Sequence, residues 1–502
     1  MITMNDFCRN TIRRVECKVT AHRVFTFNTS LLTFLISFLF LSPSLLSQPI
    51  SFKKTFGGSQ SDYCFGVTPI SDSGYVLVGN SYSFSQGFDD AYIVKVNAIG
   101  KTLWTTSVGW SGNEDARAIV ELSNNVLLAI GTTSSKGKGS KDILGVWLNQ
   151  YGDTLWTRTY GKKNADVGFD VIKSAENCLI TGVTRDPVSE KSDIYFININ
   201  ENGDTIFTKT YGGKENETGF GSLVTQQGDY MIVGTSSTSS RGDNDIYIVR
   251  VDENGNKIWE KNYGTLNADR AVSIVQFNDS IFYLTGAIRY NGEPDYDLFV
   301  MRINGIGDSL WLKSYGDTLF DEGNNISVSK DGNLLVMGTT QSYGAGNKDM
   351  IVLKISPEGE LLNQQTYGGA GSDEAITGFQ TSDGGILLAG YTSSYGEGGA
   401  DMFLVKTLPD WTLSFEENNF LSLSKKYFTI CTGNELIINF DSGVHLEKDN
   451  IHLIDITGKK IEFSMIKENG YLKIPINKLN CGMYLYRIIE KNGTSYFGKF
   501  VK

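Results

Sequence analysis

Histidine is almost missing from this chain. Of 502 residues only His22, His445 and His452 are His, and residues 48–410 contain none. That removes Ser-His-Asp catalysis, histidine general-base chemistry and histidine-containing metal centres from the long middle of the protein. Cysteine is scarce as well. Beyond the first 47 residues there are Cys64, Cys178, Cys431 and Cys481, with no short spacing and no zinc pattern. They read as free thiols, with a Cys431–Cys481 bridge as the alternative in the tail. There is no excess of positive charge: the net charge of −11 argues against a nucleic-acid partner, because phosphate binding needs a basic footprint. Proline (8) is far outnumbered by glycine (55), which suits many tight turns between short strands. Nothing in the middle of the chain shows a 3.6-residue apolar period, so helices are not expected there.

The first 47 residues stand apart. Arg9, Arg13, Arg14, Lys18 and Arg23 precede an apolar run from Leu31 to Leu41, then Pro43 and small residues up to Ser47. This is the layout of a secretory signal peptide over 1–47, and the apolar run is short for a membrane span. A retained N-terminal anchor is the alternative. On the signal-peptide reading the mature chain has no transmembrane anchor. No Cys follows the apolar run, so a lipid-anchored cysteine is not indicated.

What fills the middle is one unit repeated seven times. Its marker is an aromatic-Gly pair: Phe56-Gly57, Tyr160-Gly161, Tyr211-Gly212, Tyr263-Gly264, Tyr315-Gly316 and Tyr367-Gly368, with Val108-Gly109 as the second copy. Successive spacings are 52, 52, 51, 52, 52 and 52 residues. Each copy contains four short β-branched and aromatic runs bounded by Gly and polar turns, which are strands. Strand four carries an aromatic residue at one position (Trp104, Trp156, Phe207, Trp259, Trp311). Four strands per 52 residues, seven times over, predicts an all-β, seven-bladed β-propeller over 48–410. A β-solenoid is the competing architecture, but its coils are shorter and its ends need caps. Phe52–Phe56 aligns with a fourth strand, and the seventh copy lacks one. The mature amino end is therefore expected to pair with Asp401–Lys406 and close the ring, leaving no open sheet edge. Trp411–Phe415 is the rival for that slot.

Two positions are acidic in all seven copies. The first column is Asp62, Glu114, Asp166, Glu217, Asp269, Asp321 and Asp373; the second is Asp90, Asp142, Asp193, Asp245, Asp297, Asp349 and Asp401. Both fall at the same end of an antiparallel blade, as two rings of carboxylates on one face. Asp ahead of a strand usually accepts hydrogen bonds from its own turn, and repetition in every copy favours such a structural role. The alternative is Ca²⁺ binding, with Asp62, Asp90, Asp166, Asp245, Asp269, Asp321 and Asp373 as candidates; no other cofactor is indicated. No catalytic residue stands out. Asp186, Glu190 and Glu293 are acids outside the repeat pattern, and Arg241-Gly242-Asp243 is a chance adhesion-like tripeptide in a Gly/Ser loop.

From about residue 411 the rhythm breaks. A linker (411–424) leads to a second domain (425–502), with strands over 435–440, 451–455, 471–476, 483–489 and 495–501, which suits a small immunoglobulin-like β-sandwich. The segments Ile454-Asp455-Ile456-Thr457-Gly458-Lys459, Ile474 to Leu479, Gly482-Met483-Tyr484-Leu485-Tyr486-Arg487 and Gly498 to Lys502 follow in order to the terminus. Here the chain resembles the type A C-terminal sorting domain of type IX secretion substrates, on Asp455, Gly458, Leu479, Gly482, Tyr484, Lys499 and Lys502. The resemblance implies recognition by the type IX secretion machinery and a secreted or cell-surface location. The blades also resemble those of secreted bacterial propeller proteins and, in the Gly turn before Trp, quinoprotein-type repeats, which implies no quinone site. The expected function is binding of a polysaccharide or protein ligand. The alternative is a glycoside hydrolase using carboxylates on one propeller face.

Overall fold

The computed structural model describes residues 50–413 apart from 239–242 and 291–294. Of the tail it describes 427–501 apart from 432–434, 441–449, 456–458, 469–470, 480–482 and 490–494. The signal segment and most of the linker lie outside these residues. Between Phe52 and Lys406 the chain forms seven four-stranded antiparallel sheets. We number them 1 to 7 by their first strands: Asp62–Pro69, Glu114–Glu121, Asp166–Ser174, Glu217–Val224, Arg270–Asn278, Asp321–Val328 and Asp373–Gln380.

The middle strands of each sheet are buried on both faces against the neighbouring sheets, while outer strands such as Thr102–Val108 and Thr154–Tyr160 are largely exposed. One apolar cluster joins sheets 1 and 2 through residues such as Ile93 and Leu144, and the next joins sheets 2 and 3 through Trp147 and Ile197. The series continues through sheet 7. A last cluster packs Leu387, Met402 and Leu404 of sheet 7 against Leu77 and Val94 of sheet 1, so the circuit of cores is closed. Fully buried strands read as continuous apolar runs, and Tyr75–Ser81, Leu127–Thr133 and Leu334–Thr340 are buried at every position.

The seam is built as expected. Phe52–Phe56 pairs antiparallel with Asp401–Lys406 as the outer strand of sheet 7. In this register Lys54 faces Leu404 and Thr55 faces Phe403. Two further features repeat at the seam what the other junctions have. Asp62 N–H donates to the Ala400 carbonyl (2.6 Å), as Asp166 does to Lys141 (2.9 Å) and Asp373 to Lys348 (2.9 Å). The Phe52 ring lies over the turn residue Gly100, as Trp104 lies over Gly152: a Cβ on either glycine would meet the ring at 2.8 or 2.6 Å.

The rival segment has another role. Trp411 occupies the turn position held by glycine in the other sheets. It does so with φ +68°, the left-handed region that a bulky residue adopts only at a cost. Its N–H donates to Leu408 as Gly359 N–H does to Ser356 (both 2.9 Å), and its carbonyl accepts Tyr367 Oη at 2.7 Å as Gly359 accepts Tyr315 at 3.0 Å. Asn363 faces Lys354 in the register that Trp259 and Trp311 hold opposite Arg250 and Arg302. At the junction of sheets 6 and 7 the ring thus sits in the turn while strand four carries Asn363, and buried Trp411 supplies there the volume that strand four supplies elsewhere.

The tail forms two four-stranded sheets. Leu436, Ile438, Leu472 and Ile474 of one sheet pack with Ile451, Leu453, Tyr484, Tyr486 and Ile488 of the other around a single core. That is a β-sandwich with its own interior.

Two outcomes are expected. Oxidised Lys54→Cys/Leu404→Cys protein forms an intramolecular crosslink, seen by mass and gel mobility, and melts higher than the same protein reduced; failure to crosslink would contradict the seam. For the swapped junction, Trp411→Gly costs about 2–4 kcal/mol in denaturant unfolding, since large-to-small loss outweighs the relieved backbone strain. Adding Asn363→Trp then restores part of it, with a coupling of at least about 1 kcal/mol. Strictly additive effects would show that the two positions do not compensate each other.

Candidate functional site

The seven first strands pack side by side, Glu114–Glu121 against Asp62–Pro69 and so on round to Asp373–Gln380, which returns to the first. They form the innermost wall. Their approach is close: a Cβ on Gly66 or Gly221 would meet the backbone oxygen of the next strand, Arg117 or Val272, at 2.6 Å. Every first strand carries a β-bulge at the same place, between Cys64 and Gly66, Ala116 and Ala118, Gly168 and Asp170, Gly219 and Gly221, Ala271 and Ser273, Gly323 and Asn325, and Ala375 and Thr377. A bulge leaves one residue out of the ladder and re-aims it. The extra residues are Phe65, Arg117, Phe169, Phe220, Val272, Asn324 and Ile376.

Five of these strands, from sheets 2 to 6, line a half-open cavity of about 310 Å³. Its lining includes Arg117, Phe169, Asp170, Phe220, Ser222 and Asn324. The Arg117 guanidinium lies over two rings, Phe65 at 5.4 Å and Phe169 at 5.0 Å. It is held there by Asp115, whose Oδ2 accepts both Nε (3.2 Å) and Nη2 (3.1 Å). Phe169 and Phe220 meet edge to face, centroids 5.3 Å apart. Asp170 Oδ2 accepts the Ser222 N–H at 2.9 Å and the Ser222 hydroxyl at 3.0 Å. Loss of solvent lifts the Asp170 carboxyl to about 6, against the lowering effect of those Ser222 bonds. The cavity thus offers aromatic faces, one fixed cation and one carboxylate.

The fourteen repeated acids are elsewhere and are not an exposed face. The calcium candidates Asp62, Asp90, Asp166, Asp245, Asp269, Asp321 and Asp373 are each at most 2% exposed. First-column acids accept the N–H four residues back: Gly58 to Asp62 (2.8 Å), Lys162 to Asp166 (2.6 Å), Thr265 to Asp269 (2.5 Å), Asp317 to Asp321 (3.2 Å) and Gly369 to Asp373 (2.7 Å). Second-column acids tie down the loop before their own strand, as Gln86 N–H to Asp90 (3.0 Å) and Glu397 N–H to Asp401 (2.9 Å). One acid of each column flanks the glycine of every aromatic-Gly pair except Gly109, where Asp90 is nearest. A Cβ on Gly57 would fall on Asp401 Oδ1 and 2.7 Å from Asp62 Oδ2, and one on Gly161 would fall on Asp142 Oδ1 and 2.7 Å from Asp166 Oδ2. None of these glycines has positive φ, so close approach alone excludes a side chain. Among the described residues no group of three or more His, Cys, Asp or Glu could hold a metal ion.

The remaining sequence candidates are scattered. Asp186 closes its own exposed turn, accepting Val188 N–H (2.9 Å) and Ser189 N–H (2.8 Å), and Glu190 sits in that turn at φ +58°. Glu293, Arg241 and Gly242 lie outside the described residues. In the tail, Asp455 Oδ1 accepts Lys459 N–H at 3.0 Å, Leu479 packs on the sandwich core and Tyr484 is buried in it, while Lys499 pairs with Leu485. Gly458, Gly482 and Lys502 lie outside the described residues. Asp170 and Arg117 escaped the sequence reading because they belong to no motif. The signal was their departure from their own columns: Asp170 stands where the other copies have Gly66, Ala118, Gly221, Ser273, Asn325 and Thr377.

Comparison with known proteins agrees with this architecture. A β-propeller domain of unknown function matches residues 381–413, within sheet 7. The chain is a β-propeller protein. The secretion system C-terminal sorting domain matches residues 432–502, so the propeller carries a type IX sorting tail and is exported to a secreted or cell-surface location. No helix among the described residues is long and apolar enough to cross a membrane. No curated protein matches. Similar solved structures include the polysaccharide lyase Uly1 (11% identity, 74% of this chain and 94% of that one, TM-score 0.44). Others are the β-propeller domain of the Trilobed protease from Pyrococcus furiosus (12%, 70% and 94%, 0.42) and Sqt1 from Chaetomium thermophilum (9%, 77% and 97%, 0.41).

The acid pairs generate a pH prediction. Burial first, and the neighbouring Asp62 charge further, lift Asp401 to about 6, and Asp90, Asp166, Asp193 and Asp269 are raised for the same reasons. A carboxyl raised in the folded state stabilises the fold fully below its unfolded pKa near 3.9, and that contribution is lost as pH rises through about 6. Asp401→Asn should therefore gain melting temperature relative to wild type as pH goes from 4.5 to 7.5. A difference independent of pH would refute the raised carboxyl.

Proposed function

We propose that this protein is a seven-bladed β-propeller binding module, displayed or released by way of its immunoglobulin-like sorting domain, whose ligand is a polysaccharide or protein engaged at the axial cavity. The observation that carries this reading is where the copies differ. The acid columns, the aromatic-Gly pair and the turn glycines repeat almost without change. The bulge column runs through Phe65, Arg117, Phe169, Phe220, Val272, Asn324 and Ile376, five residue types in seven copies. Residues that only build blades are free to stay alike, whereas residues that meet an asymmetric ligand must diverge. A cavity of this size, with aromatic walls and a few convergent polar groups, has the general character of a ligand site.

Hydrolysis is the second reading, since a carboxyl lifted to about 6 suits a general acid. Glycoside hydrolysis needs two carboxyl groups about the scissile bond. The cavity lining includes one, Asp170, which favours binding.

An array of bacterial and host glycans and of cell-surface proteins, probed with the mature chain, tests this. Arg117→Ala and Phe220→Ala are expected to lose at least about tenfold in affinity for the hits, about 1.4 kcal/mol. Hits that both variants bind as well as wild type would move the ligand away from the cavity. Release of product from the hits would favour the hydrolase.

A further inference from the structure

We propose that the axial cavity takes a single neutral sugar ring at the end of a glycan chain, inserted along the propeller axis. This goes one step beyond the polysaccharide reading and rests on it.

Size comes first. About 310 Å³ is far more than the roughly 10–15 Å³ that one water needs, and it sits at the lower end of small-ligand sites, about 300–1,000 Å³. That leaves room for a pyranose with its hydroxyls. The walls come from five inner strands in succession rather than from loops on one face. A chain lying across the propeller would not reach them, whereas a terminal unit would.

The wall chemistry matches such a ring. A pyranose presents apolar C–H faces and a rim of hydroxyls that each donate and accept. Phe169 and Phe220, at 67° to one another, offer one ring face and one ring edge within the same wall. The Arg117–Asp115 bridge uses Nε and Nη2, which leaves Nη1 outside it as a donor already aimed by the two flanking rings. The Ser222 N–H and hydroxyl and the Val171 N–H all donate to the Asp170 carboxylate, which with about four acceptor sites keeps capacity for a ligand hydroxyl. The Asn324 amide is engaged through Nδ2, to the Ala375 carbonyl at 2.9 Å, so its oxygen is the group that remains for a ligand hydroxyl. Two acceptors and one donor, none of them mobile, define an orientation.

Charge decides between sugar classes. Arg117 already has its counter-ion in Asp115, and Asp170 has no cation among its partners. A uronic acid would bring a second carboxylate next to Asp170 with nothing to neutralise it, which is costly in a desolvated site. A neutral ring would instead give Asp170 hydroxyl donors.

The experiment is isothermal titration of the mature chain with methyl glycosides of neutral hexoses, with the matching uronic acids, and with any array-positive oligosaccharide in free and end-capped form. Asp170→Asn and Phe220→Leu are titrated in parallel, with melting curves to show that both fold. The proposal expects saturable binding of at least one neutral methyl glycoside, which displaces the oligosaccharide, and at least about a tenfold loss in both variants. Capping the oligosaccharide end should abolish its binding. If the oligosaccharide binds, but capping, monosaccharide competition and both substitutions leave it unchanged, end insertion is wrong while the polysaccharide reading stands. Preference for the uronic acid would overturn the neutral-ring assignment. If no glycan binds the wild type, the polysaccharide reading fails and takes this inference with it.

Discussion

The structure depends on a glycine held between carboxylates at the junctions of neighbouring sheets. The acid that opens one sheet and the acid that opens the third strand of the previous sheet close on the same Cα, as Asp62 and Asp401 do on Gly57. Each acid also ties down a loop through backbone N–H groups. A buried carboxylate is costly unless it is hydrogen-bonded, and here the donors are the loops that the junction must fix in any case. The arrangement therefore turns a desolvation cost into positional definition. It also explains why glycine is needed where no unusual backbone angle calls for it.

Around that junction the ring closes without a special device. The seam between sheets 7 and 1 has a carboxylate pair, a backbone bond and a ring over glycine of the kinds found at other junctions, although its outer strand comes from the far end of the chain. Closure covers the two apolar sheet faces that a linear stack would expose. One departure, Trp411 in the turn with Asn363 on strand four, keeps the junction filled by moving the bulky group to the other partner at the cost of a strained turn.

Much of this was legible in the sequence because a repeat displays its own constraints. The 52-residue spacing marks the strands, the out-of-phase ends imply the borrowed strand, and the invariant acids announce a structural role. The tail was legible for a different reason: its strand pattern and ordered motifs run to the terminus, and the same region matches the sorting domain. The candidate site was not legible. Arg117 in a bulge and Asp170 just after one acquire significance only through the cavity they share, and a bulge is a register difference between two strands that no single strand encodes. Likewise Trp411 looks like a fourth-strand residue by its spacing to Phe415, and only the turn hydrogen bonds reveal its place.

By itself, then, the sequence determined the repeat, the strand composition, the sorting tail and the pairing that seals the circle, because each is written in local periodicity, in ordered motifs or in the ends of the array. The tertiary structure alone decided that the acids are buried clamps rather than an exposed charged face. It alone decided which divergent residues share a cavity. Both follow from how seven sheets converge, since convergence brings residues some fifty positions apart into contact and sets whether a side chain meets water, a neighbouring backbone or an enclosed space.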